Sequence, residues 1–124
     1  MVASKHASHA APHMKIMWNR GPIPASLTAV MRTIPAPTTE DPTWFHRCFA
    51  LFLRRAGFTV RCEFPAPYRD RAGRCDIRAD HPDLPGPIFL ELDRTRPRAK
   101  SIEKLTNCVA AHGGVAAVIC RTPP

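Results

Sequence analysis

Carboxylates placed inside short apolar runs constrain this chain more than any other feature. Gly73 to Asp93 opens with Gly-Arg-Cys-Asp-Ile-Arg, crosses a Pro-rich turn, and closes with Pro-Ile-Phe-Leu-Glu-Leu-Asp. Asp76 sits in the first run, Glu91 in the second, and Asp93 two residues beyond. A carboxylate in an apolar strand is costly unless it is paired or binds a metal. Side chains alternate along a strand, so Glu91 and Asp93 are expected on one face and Leu90 and Leu92 on the other. Pairing the two runs as a hairpin brings Asp76 beside Glu91. Three acidic groups meeting at a sheet surface suit a hard cation, and a cation beside basic residues suits phosphodiester chemistry. The plainer alternative is a surface charge ladder, with Asp76 paired to Arg74 or Arg78 and the other two to Arg94 or Arg96.

The rest of the chain frames this stretch. At 124 residues, one domain is expected. The formal net charge is +8. Residues 41–124 carry fourteen Lys or Arg against nine Asp or Glu, so the folded part is itself basic. A basic surface favours nucleic acid or an anionic membrane. No apolar run reaches the length of a membrane span. Five cysteines, Cys48, Cys62, Cys75, Cys108 and Cys120, form no CxxC pair. With no secretory signal visible, they read as reduced core thiols of a cytoplasmic protein.

Residues 1–38 read as a flexible, Pro- and His-containing extension, in which His6, His9 and His13, spaced by three and four, could bind metal on a helix but read as an incidental, solvated set. Two short apolar patches in it, around Trp18 and from Leu27 to Met31, are too short and poorly capped to define elements. The folded domain is placed at 39–124. Asp41 can cap a helix with Pro42 at its first position. Phe45, Cys48, Phe49 and Phe52 follow at helical spacing, widened by Trp44 and Leu51, and Gly57 ends the helix. Phe58 to Phe64 alternates as a half-buried strand, with Glu63 read as one half of a cross-strand charge pair. Arg74–Ala79 and Pro87–Asp93 are the next strands, with Cys75 and Ile77 on one face. Ser101 caps a second helix ending at Gly113-Gly114. Val115 to Arg121, apolar on both faces, is an interior strand parallel to its neighbour. The fold class is therefore α/β, a small mixed β-sheet flanked by helices in the order α-β-β-β-α-β. An apolar strand this late in a small domain also raises the expectation of a homodimer.

That order, with Gly-x-x-Asp on the second strand and Glu-x-x on the third, resembles the PD-(D/E)XK nuclease superfamily. This is the restriction-endonuclease-like fold of phage, repair and Holliday-junction nucleases. The resemblance covers residues 39–124 and departs from the family in two places. Asp93 stands where the family carries its lysine, and Glu40 precedes the first helix rather than lying on it. The resemblance implies a DNA endonuclease using Mg²⁺ or Mn²⁺. Asp76, Glu91, Asp93 and the Leu92 carbonyl are its implied metal ligands, with Glu40 as the N-terminal acidic residue. Lys100 or Lys104, from the following helix, supplies the missing lysine and stabilises developing negative charge. Arg74, Arg94, Arg96, Arg98 and Lys100 follow or flank the metal strands and are placed to grip DNA phosphates. The rival reading is a non-catalytic nucleic-acid-binding module on the same fold, in which the absent lysine marks lost chemistry. A more distant one is a partner-binding domain with no nucleic-acid role.

Overall fold

The computed structural model describes residues 15–33 and 41–121. Strand β1 (Lys15–Arg20) and helix α1 (Ala25–Thr33) come first. Helix α2 (Pro42–Arg55) leads into β2 (Thr59–Pro65), β3 (Arg74–Asp80) and β4 (Ile88–Asp93). Helix α3 (Ala99–His112) then crosses to β5 (Val115–Cys120). The strands form one open mixed sheet in the order β1-β5-β4-β3-β2. Neighbours pair antiparallel except β4 and β5, which run parallel as the apolar pattern of β5 implies.

Each face of the sheet has its own core. On one, Leu27 and Val30 of α1 and Phe45, Phe49 and Leu53 of α2 pack on Ile77, Leu90, Ala117 and Ile119. On the other, Leu105 and Cys108 of α3 pack on Phe64, Cys75, Phe89 and Val118. The three layers follow from patterning. Helix α2 buries Phe45, Phe49 and Leu53 at i, i+4, i+8, while Trp44 and Leu51, expected to widen that stripe, face outward at 41% and 44% exposure. Asp41 caps α2 as expected, accepting a hydrogen bond from the Thr43 N–H (2.9 Å), with Pro42 in the first turn.

Three expectations are corrected here. The boundary after residue 38 does not separate folded from unfolded chain, because β1 and α1 belong to the same fold. Strand β1 pairs along β5 from Lys15↔Cys120 to Arg20↔Ala116, and Leu27 is fully buried. Elements this short escape notice because their stability comes from tertiary packing rather than from local periodicity. Strand β5, expected to leave an edge for a second copy, is covered on both sides by β1 and β4, which removes that argument for a homodimer. The thiols divide, with Cys75, Cys108 and Cys120 buried, Cys48 half-buried and Cys62 exposed. Glu40 and the three N-terminal histidines lie outside the described residues. No helix among the described residues is long and apolar enough to cross a membrane.

The place of α1 in the core gives a direct test. Leu27→Ala is expected to cost about 2–5 kcal/mol in urea unfolding, the range for emptying a buried leucine site. A dispensable arm would show no change.

Candidate metal centre at a break in the sheet

The middle of the sheet is interrupted where the acidic residues stand. The β3–β4 ladder pairs Ala79↔Ile88, Arg78↔Phe89 and Ile77↔Leu90, then stops. Beyond it, side chains take over the backbone's hydrogen bonds. The Asp76 N–H donates to Glu91 Oε2 (2.7 Å), and the Leu92 N–H donates to Asp76 Oδ2 (2.7 Å). The β2–β3 ladder skips the same level, with Cys62↔Ile77 on one side and Phe64↔Cys75 on the other. Counting through that register sets Glu63 opposite Asp76.

Both strands change face at this point. Ile77 belongs to the core under α1 and α2, but Cys75 belongs to the core under α3. Val60 and Phe64 divide the same way. Strict alternation would have kept each pair together, so the expectation of Cys75 and Ile77 on one face is corrected. In β2 the change falls at Glu63, whose φ is +55°, in the left-handed region. A non-glycine residue pays about 1–2 kcal/mol for that conformation, and such outliers collect at functional sites.

The break gathers three side chains that could hold a metal ion and that the motif did not specify together. His46 of α2, Glu63 of β2 and Asp76 of β3 bring one ligand atom each to within 4.8 Å of one another. His46 Nε2 lies 3.5 Å from Asp76 Oδ2. The hydrogen bond to Asp76 is the main cause raising the His46 pKa above 6.5, with Glu63 and Glu91 adding to it and burial opposing. Burial alone would raise the Asp76 pKa, but the bonds from His46 and Leu92 outweigh it and hold the carboxyl below its usual 3.8. Asp76 is thus ionised and faces a proton-hungry imidazole, with the exposed Glu63 carboxylate beside them.

Glu91 behaves differently. It is fully buried, and Lys104 of α3 approaches Oε1 to 2.6 Å while also donating to the Arg74 carbonyl (2.7 Å). Burial, then the neighbouring Asp76 charge, pushes the Glu91 pKa up to about 7 against the pull of Lys104. Both Glu91 oxygens are occupied, Oε2 by the Asp76 amide and Oε1 by the ammonium. Of the two lysines considered for the site, Lys104 is the one that reaches Glu91. Its side chain is only 8% exposed, so it acts as the countercharge of Glu91. The exposed Lys100 lies against the Tyr68 ring, 5.8 Å from its centroid. Gly73 makes room for this packing, since a Cβ there would stand 2.5 Å from the Ala66 carbonyl and 3.4 Å from Lys104 Cδ.

Asp93 is not part of the cluster. Its side chain is buried and holds the start of α3, accepting from the Arg98 N–H (2.9 Å), Ser101 Oγ (3.0 Å) and Arg98 Nε (3.3 Å). The helix accordingly starts at Ala99, with Arg98 at the cap position in place of Ser101. An anion at that end also meets the positive pole of the helix. Alternation correctly gave Asp93 the face of Glu91, but that face is covered by α3. The Leu92 group bonded to Asp76 is its amide N–H, not the carbonyl that the resemblance implied as a ligand. Arg74, Arg94, Arg96 and Arg98 are exposed, and Arg98 is tied to Asp93.

His46 and Glu63 were missed for different reasons. His46 sits among the Phe45 and Phe49 core positions and has no partner nearby in sequence. Glu63 had a signal, its hairpin register opposite Asp76, which an alternating strand pattern disguises. No protein-family model, no curated protein and no solved structure matches this chain.

Two outcomes test this electrostatic arrangement. Lys104→Met should cost about 3–5 kcal/mol near pH 8, the penalty for leaving a buried charge alone. The raised Glu91 pKa means that stability tied to its neutral form is complete below 4.5 and is lost as pH rises through the folded value, so the cost should shrink toward pH 5. Glu91→Gln combined with Lys104→Met should recover most of it. For His46→Gln, the loss relative to wild type should be largest below pH 6.5 and vanish as pH rises through the raised His46 pKa. Urea unfolding from pH 5 to 9 measures both, and a flat His46 profile would remove the ion pair.

Proposed function

We propose that the chain is a metal-dependent DNA endonuclease with a restriction-endonuclease-like arrangement, its cation held by His46, Glu63 and Asp76. The observation that supports this most is the convergence of these three side chains on a break in the sheet, one of them in strained backbone, within a protein of net charge +8.

The donor set fits a divalent ion. Two carboxylates suit Mg²⁺ or Mn²⁺, and an imidazole shifts the preference away from Mg²⁺ toward a transition metal such as Mn²⁺. The exposed Glu63 leaves the site open to solvent and to substrate oxygens. A bound ion would supply Lewis-acid polarisation of a phosphoryl oxygen and an acidified water. The protein's own groups do the rest. Asp76 is fixed by the Leu92 amide and keeps its charge. His46 must give up its proton before it can act as a ligand, so metal affinity should rise with pH. Glu91 orients the Asp76 backbone through its N–H, and Lys104 holds Glu91 in place. Asp93 seats the helix that delivers Lys104.

One observation favours the rival, a non-catalytic nucleic-acid-binding module. Lys104 is committed to Glu91 in the interior, so no lysine ammonium stands at the three-ligand cluster among the described residues. The same experiment separates the two readings. Mn²⁺ should raise the thermal midpoint in a concentration-dependent way, worth about 2.7 kcal/mol at a hundredfold excess over Kd. Asp76→Asn should lose that shift and reduce cleavage of plasmid and oligonucleotide DNA by about 100-fold or more, the equivalent of about 3 kcal/mol of transition-state stabilisation. Metal binding with no cleavage by the wild type would select the binding module. No metal-induced shift would end the metal-centre reading.

A further inference from the structure

The cluster opens into a cleft of about 470 Å³ between α2 and β2, lined by Pro42, Thr43, His46, Arg47, Arg54 and Glu63 among others. His46 and Glu63 belong to both the cleft and the ligand set, so the cleft leads directly to the cluster. Its positive charge comes from Arg47 and Arg54. These lie seven residues apart on α2, about 10.5 Å along the axis and within about 20° of the same face. Both are exposed, and neither is ion-paired with a carboxylate among the described residues. Arg54 makes one long contact, to the Val60 carbonyl at 3.5 Å.

We infer that this cleft receives the sugar-phosphate backbone of the nucleic-acid strand, with Arg47 and Arg54 as its phosphate anchors. The inference rests on reading the adjacent cluster as a phosphodiester site, and it specifies the path by which a strand reaches that cluster. A guanidinium presents a planar fork that matches phosphate oxygens in pairs. Two such forks two turns apart on one rigid helix can hold separate phosphates of one strand. The Arg94–Lys100 run is less free for this role, because Arg98 is bound to Asp93 and Lys100 lies over Tyr68. Glu63 within the cleft repels phosphate when no cation is present, which keeps the arginines as the dominant contacts in metal-free protein.

The test uses the full chain in EDTA, so it does not depend on metal binding or cleavage. Titration of a labelled single-stranded oligonucleotide at several salt concentrations gives the slope of log K against log salt. Arg47→Ala with Arg54→Ala should reduce the slope by about 1.4, at about 0.7 per lost phosphate contact. Arg47→Lys with Arg54→Lys should retain it, which separates charge from folding. As a second readout, the oligonucleotide should slow modification of the exposed Cys62 by a thiol reagent, since Cys62 also lines the cleft. An unchanged slope with unprotected Cys62 overturns the proposal even if the protein cleaves DNA. A reduced slope with protected Cys62 supports it even if the protein cleaves nothing. Equal protection of Cys62 by polyglutamate overturns it in favour of an acidic protein partner.

Discussion

Two side-chain carboxylates hold β3 and β4 together where their ladder fails. A ladder bond joins two backbone groups and keeps neighbouring strands parallel to each other's surface. Here each bond joins one backbone N–H to one carboxylate, from the Asp76 amide to Glu91 and from the Leu92 amide to Asp76. Such charge-assisted bonds are stronger than the neutral ones they replace. They also fix the two acidic side chains in place without any metal, so the pair is preorganised. The cost is a buried negative charge, which Lys104 offsets from the far side of the sheet.

The same break explains why the site draws on three elements. If β2 and β3 had kept strict alternation, Cys75 would have stayed with Ile77 in one core, and Phe64 with Val60. The reversal between Ile77 and Cys75, matched by that between Val60 and Phe64, sends apolar residues two or four apart to opposite cores and frees a residue between. On β3 that residue is Asp76, and on β2 it is Glu63. Helix α2 passes over this point with Phe45 and Phe49 packed down, and His46 comes to lie between core and solvent.

The elements with strong local patterns were legible in the sequence. Helix α2 carried its cap and apolar stripe, and β4 and β5 carried near-continuous apolar runs. Asp76 and Glu91 were legible because each broke such a run. Asp93 was read wrongly because its signal was the same. A buried carboxylate on a strand does not reveal whether a cation, a lysine or a helix terminus neutralises it, and that depends on what covers the face. Strand β1 and helix α1 showed only as short apolar patches, since neither is amphipathic over enough residues to define an element alone. His46 and Glu63 required knowing which helix lies over which strand.

The place of β1 in the sheet also bears on how the protein is made. The first described strand pairs with the last, Lys15 opposite Cys120. A ribosome delivers these two ends far apart in time. Until β5 has emerged, β1 has no neighbour to bond with, and β4 lacks its parallel partner. The sheet therefore closes late, through its most distant pairing in sequence, and such non-local contacts fold slowly. During that interval the nascent chain exposes the apolar side of β4 and the edge of β1, the kind of surface that chaperones shield.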